Sequence, residues 1–385
     1  METAVLKKRI YLSAPHMSGN EMKYIEEAFE TNWITSMGPN IEAFETEIAK
    51  LVGVAEAVAV NSGTAAIHLA LELVNVTKGD KVFCSSLTFV ASANPILYQG
   101  AEPVFIDSEP ETWNMSPQAL ERALKDAKDA DDLPKAVIIV NLYGQPAKMD
   151  ELVTICNHYQ VPIIEDAAES LGSTYKGKAS GTFGDFGIYS FNGNKIITSS
   201  GGGMLISNNK ELLEKARFLA SQAKDEAPHY QHSTVGYNYR MSNIIAGIGR
   251  GQLEYLTHRV EMRRFIFKRY FEELNHLPGL SFMPELANTR SNRWLTSFTL
   301  NEHESNTTIK QLISSLAEQN IESRPVWKPL HRQPLFQNTR YYSHKLDESY
   351  SDHLFRNGIC LPSGSNMTEE EQTRVIDVIQ KTLLN

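Results

Sequence analysis

Cysteine is scarce in this chain: of 385 residues only Cys84, Cys156 and Cys360 are cysteine, widely spaced and odd in number. That spacing offers neither a disulfide framework nor a zinc site, and it predicts a reducing, cytoplasmic setting. Long apolar runs are missing as well. No uninterrupted apolar stretch approaches the ~18–20 residues of a membrane span, and the opening Met-Glu-Thr-Ala-Val-Leu-Lys-Lys lacks the apolar core of a signal peptide. Nor is there an excess of positive charge. With 37 basic and 46 acidic residues the formal balance is −9, which excludes a general binder of nucleic acid or other polyanions and leaves any nucleotide recognition to local groups. Neither a G-x-x-x-x-G-K-[ST] loop nor G-x-G-x-x-G occurs, which counts against a plain nucleotide-binding module. The 11 histidines show no paired metal spacing, so no metal is expected. His68, on the apolar face of a helical pattern, reads as core. There is no internal repeat or low-complexity tract; residues 126–132, rich in Asp, Lys and Ala, read as a solvated helix end and loop.

What is present is alternation. Apolar strand candidates at 81–85, 103–106, 136–140 and 162–165 are separated by helical patterns such as Leu152, Ile155, Cys156 and Tyr159. This βαβ repetition predicts an α/β domain with a mainly parallel sheet flanked by helices. An amphipathic stretch over 242–274 leads out of that domain. Beyond it, 294–300 reads as a strand, Ile309, Leu312, Ile313 and Leu316 recur at helical spacing, and Val375, Val378 and Ile379 mark a terminal helix. A chain of 385 residues suits two domains. We expect a large domain over 1–250 and a smaller α+β C-terminal domain over 251–385.

Three segments carry chemistry. Ser190-Phe-Asn-Gly-Asn-Lys195 follows the strand pattern Phe186-Gly-Ile-Tyr-Ser190 and precedes the triplet Gly201-Gly202-Gly203. A lysine beside such a turn can be held away from bulk water, where the neutral amine that attacks an aldehyde is favoured. A surface lysine after a strand would read the same. Upstream, Val161-Pro-Ile-Ile-Glu165-Asp166 is a short apolar strand ending in acids. A carboxylate there points into the crevice where open α/β sheets bind ligands and can pair with a protonated ring nitrogen; the alternative for Asp166 is a helix N-cap. Further upstream, Asn61-Ser62-Gly63-Thr64-Ala65-Ala66 lies between the apolar run 54–60 and a helical pattern. Small residues there let backbone N–H groups approach a phosphate at the positive end of a helix, although Ser and Thr also serve as ordinary caps. A phosphate cradle, a carboxylate for a ring nitrogen and a Schiff-base lysine, in that order, describe a pyridoxal phosphate site.

The chain resembles the DegT-type sugar-nucleotide aminotransferases, fold type I pyridoxal phosphate enzymes, nearly end to end. The resemblance runs through Tyr11-Leu-Ser-Ala-Pro-His-Met, Asn32-Trp-Ile-Thr-Ser-Met-Gly-Pro39, Ser62-Gly-Thr-Ala65, Thr88-Phe-Val-Ala-Ser-Ala-Asn94, Glu165-Asp-Ala-Ala-Glu169, Ser190 to Lys195, Gly236-Tyr-Asn-Tyr-Arg-Met-Ser242 and Arg324-Pro-Val-Trp-Lys-Pro-Leu-His331. It implies that Lys195 carries the cofactor and that Asp166 keeps the ring nitrogen protonated. Gly63, Thr64 and Ser190 would hold the phosphate, with Asn238 reaching it from the partner subunit of a homodimer. Phe89 would stack on the ring, and Glu169 stands where relatives often carry Gln or His. Trp33, Ser36, Arg324 and His331 fall in segments that line the family's cleft, while Pro325 and Trp327 shape a loop. The sub-group that the chain looks most similar to serves bacillosamine-type and exopolysaccharide pathways. That similarity implies transfer of an amino group from glutamate to the C4 ketone of a UDP-linked 4-keto-6-deoxy-N-acetylhexosamine. A dTDP- or GDP-linked sugar, or a C3 ketone, stays open, and so does a sugar dehydratase, although dehydratase relatives carry His where this chain has Lys195.

Overall fold

The computed structural model describes residues 8–384. Its larger sheet has eight strands, in the order Glu56–Val60, Gly203–Ser207, Phe186–Ser190, Ile163–Asp166, Ala136–Val140, Lys81–Ser85, Glu102–Ile106, Tyr341–Tyr342. All neighbours are parallel except at Gly203–Ser207, which is antiparallel to both of its partners. The expected α/β architecture is therefore present.

The central strands are apolar on both faces because helices cover both. Period-two alternation divides their side chains. Ile138, Ile164, Ile188 and Leu205 pack with the helices Gly63–Leu73 and Lys210–Ala220. Val137, Ile139 and Ile163 pack with Pro117–Asp129 and Met149–Tyr159 on the other side.

The second sheet runs Leu280–Phe282, Thr296–Leu300, Gly358–Leu361, Arg324–Pro325 and is antiparallel throughout. Leu256–Leu274, Ile309–Glu318 and Glu369–Leu384 share a buried apolar cluster with it. The amphipathic stretch over 242–274 is two helices, Asn243–Leu253 and Leu256–Leu274, rather than one. Gly249 and Gly251 give the first a small face, and an added Cβ would lie 2.7 Å from the Phe44 ring at one and 2.9 Å from the Glu21 backbone at the other. After the second sheet is under way the chain returns to the first, where Tyr341–Tyr342 lies parallel to Glu102–Ile106 as its edge strand.

One topological feature positions the site. From Lys81–Ser85 the chain steps to Glu102–Ile106 on one side, then crosses back to Ala136–Val140 on the other. Connections diverge at such a point and leave a crevice beyond the carboxyl ends of the strands. Asp166 ends the next strand along and Ser190 the one after that.

Candidate active site

A cavity of about 320 Å³ opens in this crevice. The strand Phe186–Ser190 ends at its wall, and the backbone then turns, with Lys195 N donating to Asn192 O at 3.0 Å. The turn directs the Lys195 side chain inward, where it is 12% exposed. Its Nζ lies 3.5 Å from Glu169 Oε1 and 4.2 Å from the centroid of the Trp294 ring. A carboxylate and an aromatic face thus hold the amine from two sides.

Asp166 forms the floor. Ser92 Oγ donates to its Oδ2 at 2.7 Å and Ala168 N to its Oδ1 at 3.1 Å. Thr88 Oγ1 extends the chain, 2.9 Å from Ser92 Oγ. No helix begins at Asp166, so its carboxylate closes a turn instead of capping a helix. Burial raises its pKa, against the opposing pull of Ser92, Ala168 and the charge of Lys195. Burial leaves its ionised form short of solvation, and a protonated base facing it would supply the missing counter-charge. Glu169 is raised in the same way, by burial first, with Lys195 and the Tyr143 N–H opposing. Its Oε2 accepts that N–H at 2.8 Å. Tyr143 presents the N–H from a left-handed backbone, φ 52°, an uncommon conformation for a tyrosine.

Opposite Lys195, the helix Gly63–Leu73 points its start into the cavity, and Ser62 Oγ caps it by accepting Ala65 N at 3.1 Å. The glycine turn presses against this start. A Cβ on Gly203 would lie 2.4 Å from the Ser62 carbonyl carbon and 2.5 Å from Gly63 N, and one on Gly63 would lie 3.3 Å from Ser190 Cβ. Backbone N–H groups free of intrahelical partners therefore border the cavity directly, beside the Ser190 hydroxyl.

The structure brings Gly63, Thr64, Phe89, Asp166, Glu169, Ser190 and Lys195 to one cavity. Phe89 is half exposed at its mouth, its ring centroid 5.6 Å from that of Trp327. Four further residues lie elsewhere. Asn238 is exposed, and its backbone oxygen accepts from the side chain of Asn61, which does line the cavity, at 3.1 Å. Trp33 and Ser36 are exposed away from it, the Trp33 carbonyl accepting Asn243 Nδ2 at 3.0 Å. His331, expected at the cleft, lines neither cavity; it is half-buried between Ser86 Oγ, 2.7 Å from its Nδ1, and Asp352 Oδ1, 3.3 Å from its Nε2, with its ring stacked on Tyr341. It fastens the returning edge strand. His68 is core, as its pattern suggests, hydrogen-bonded to Tyr239 OH at 3.0 Å.

Arg324 lines a second, outer cavity of about 790 Å³ that shares Asn194, Trp294 and Trp327 with the first. Its guanidinium is exposed and paired with Glu322 at 3.0 Å. Sequence reasoning missed Trp294, Tyr143, Thr88 and Ser92, and treated Trp327 only as a loop shaper. Thr88 and Ser92 lie within a motif already singled out. Trp294 and Tyr143 reach the site only through tertiary packing.

The sequence matches the DegT/DnrJ/EryC1/StrS aminotransferase family over residues 15–380. EpsN of Bacillus subtilis (strain 168), which carries the name of a pyridoxal phosphate-dependent aminotransferase, is 64% identical over 374 residues, 97% of this chain and 96% of that protein. The GDP-perosamine synthase of Caulobacter vibrioides is 38% identical over 377 residues, 98% of this chain and 99% of that one. The crystal structure of a DegT DnrJ EryC1 StrS aminotransferase from Brucella abortus is similar at a TM-score of 0.87 and 29% identity, covering 95% of this chain and 96% of that one. On this agreement of sequence and fold, the chain belongs to the DegT/DnrJ/EryC1/StrS aminotransferase family and is a pyridoxal phosphate-dependent sugar aminotransferase.

Proposed function

We propose that this aminotransferase moves the amino group of glutamate to the C4 ketone of a UDP-linked 4-keto-6-deoxy-N-acetylhexosamine, a step in assembling a bacterial polysaccharide or glycan. The observation that carries the site reading is Lys195 Nζ, held between Glu169 and the Trp294 ring in a cavity floored by Asp166.

The residues fit pyridoxal phosphate. The helix start at Gly63 and Thr64, with Ser190, suits its phosphate, and the buried acid Asp166 suits its pyridinium nitrogen. Phe89, at the cavity mouth, suits the ring face. When bound, the cofactor supplies an electron sink for charge that develops beside the amino nitrogen. Asp166 holds the proton at the ring nitrogen. Lys195 Nζ, once free, takes the proton from the carbon that bears the amine and returns it on the other side of the reaction. Glu169 steadies that amine and keeps a counter-charge beside it. Trp294 and Trp327 bound the cavity and limit water. The outer cavity holds the sugar nucleotide, where Arg324, released from Glu322, can grip a diphosphate with its planar fork. Glutamate and sugar use the same inner cavity in turn, which gives ping-pong kinetics. In a homodimer, Asn238 of the partner subunit closes the phosphate pocket.

A second reading, a GDP-linked keto sugar, is favoured by the relatives named GDP-perosamine synthase. Incubation with glutamate and a panel of UDP-, GDP- and dTDP-linked 3- and 4-keto sugars, followed by mass and NMR analysis, separates these. The proposal requires an aminated UDP-linked 4-amino product. Amination of the GDP-linked sugar alone selects the second reading, and loss of water without amination overturns both.

A further inference from the structure

Arg263, on the helix Leu256–Leu274, is 1% exposed and has no ion pair among the described residues. Its pKa is pushed down to about 9, by burial and then by Arg259, which still leaves the guanidinium charged at neutral pH. A buried charge without a counter-ion is costly, and an apolar side chain would fill the same space with less penalty. What the guanidinium does instead is grip two acceptors. Nη1 donates to the carbonyl oxygen of Trp294, and Nη2 donates to Ser13 Oγ at 3.0 Å. Both of those residues then converge on a single atom. Ser13 Oγ donates to the carbonyl oxygen of Asn194 at 2.6 Å, and Trp294 Nε1 donates to the same oxygen at 2.7 Å. That carbonyl belongs to the peptide that joins Asn194 to Lys195. The face of the Trp294 ring also lies under Lys195 Nζ, at 4.2 Å.

We propose that Arg263 is a positioning residue for Lys195: by fixing Ser13 and Trp294 it locks the Asn194–Lys195 peptide and the aromatic surface beneath the amine. The planar fork suits this task, because one rigid group must satisfy two acceptors in different directions; a lysine, a point charge on a flexible stem, holds one of them at a time. The inference rests on Lys195 being the lysine that carries the cofactor. Displacement of a reacting group by as little as 1 Å costs up to about a hundredfold in rate, which sets the scale of the effect.

The test uses Arg263→Lys and Ser13→Ala, which leave the net charge unchanged, and the double variant. Apoprotein is mixed with pyridoxal phosphate, and the rate at which borohydride fixes the cofactor to Lys195 is followed by peptide mapping. Single-turnover conversion with glutamate and thermal melting are measured alongside. Both single variants should lose about tenfold or more in attachment and single-turnover rates, with the KM for glutamate within about threefold of the parent. The double variant should be little worse than the poorer single one, since both lesions release the same carbonyl. Attachment and turnover within about twofold of the parent, with only the melting temperature lowered, would mean that Arg263 merely braces the fold. A loss confined to KM, or losses that multiply in the double variant, would also overturn the relay. If Arg263→Lys does not fold, Ser13→Ala decides alone, because Ser13 is only half buried and its hydroxyl is the sole group removed. Label on a lysine other than Lys195 in the parent protein would remove the site reading; label on Lys195 with unaffected variants would remove only this inference.

Discussion

Asp166→Asn separates what the floor of the cavity does for stability from what it does for chemistry. The substitution is nearly isosteric. The amide oxygen can keep the Ala168 N–H, and the amide NH₂ can donate to Ser92 Oγ, which can turn its own proton to Thr88 Oγ1. The fold should therefore survive. Burial holds the native Asp166 above the ordinary aspartate value, whereas the unfolded chain titrates near ~3.9. Between those two values the native state keeps a proton that the unfolded state has released. Stability contributed by this group therefore falls as pH rises from about 4 through the folded value. The amide removes that dependence, so the Asn apoprotein should melt no lower than the parent at neutral pH, and less steeply with pH. Activity should move the other way. The charge-assisted hydrogen bond to a protonated ring nitrogen contributes about 1.5–3 kcal/mol, which at ~1.4 kcal/mol per factor of ten is roughly a ten- to hundredfold loss in kcat. Turnover is measured with glutamate and the productive keto sugar at full cofactor occupancy, and melting on the apoproteins across the acid range. Near-parent turnover at full occupancy would show that Asp166 only shapes the turn, and the reasoning would fail.

Two further outcomes follow from the packing and from the proposed sharing of the site between subunits. Gly203→Ala places a methyl group 2.4 Å from the Ser62 carbonyl carbon, against backbone that cannot move aside; melting should show a loss of about 1–3 kcal/mol, and a pyridoxal phosphate titration should show weaker binding. Lys195→Ala and Asn238→Ala, each crippled alone, should complement when subunits are exchanged, because random equal mixing makes half the dimers mixed and gives each one intact site, returning roughly a quarter of parent activity. Exchange without recovery would place Asn238 in its own chain's site, or show that the site is not shared.

The parts of this protein legible in its sequence were those set by local pattern. The strands Lys81–Ser85 and Ala136–Val140 coincide with their apolar runs, and Ile163–Asp166 lies one residue along from its run, because a strand buried on both faces is written as continuous apolar sequence. That Lys195, Asp166 and Gly63 come to one cavity was readable because each stands at the end or start of an element whose own pattern is strong. Gly203–Ser207 was not, since nothing local tells an antiparallel insertion from another parallel strand. Tyr341–Tyr342 is two residues long and owes its place to the sheet edge that it completes. His331 illustrates a similar limit: a histidine in a cleft-lining motif and a histidine pinned by Ser86 and Asp352 have the same neighbours in sequence. Trp294 and Tyr143 come to Lys195 and Glu169 from more than 20 residues away in sequence, through a cation–π contact and one backbone N–H. Pairings of that kind are settled by tertiary packing.

The central claim is that one lysine, Lys195, bears the cofactor, and the most direct measurement is borohydride reduction of the holoenzyme followed by peptide mapping. The label should fall on the peptide containing Lys195, and Lys195→Ala should bind pyridoxal phosphate reversibly without acquiring label. Label on any other lysine of the parent protein would contradict the account.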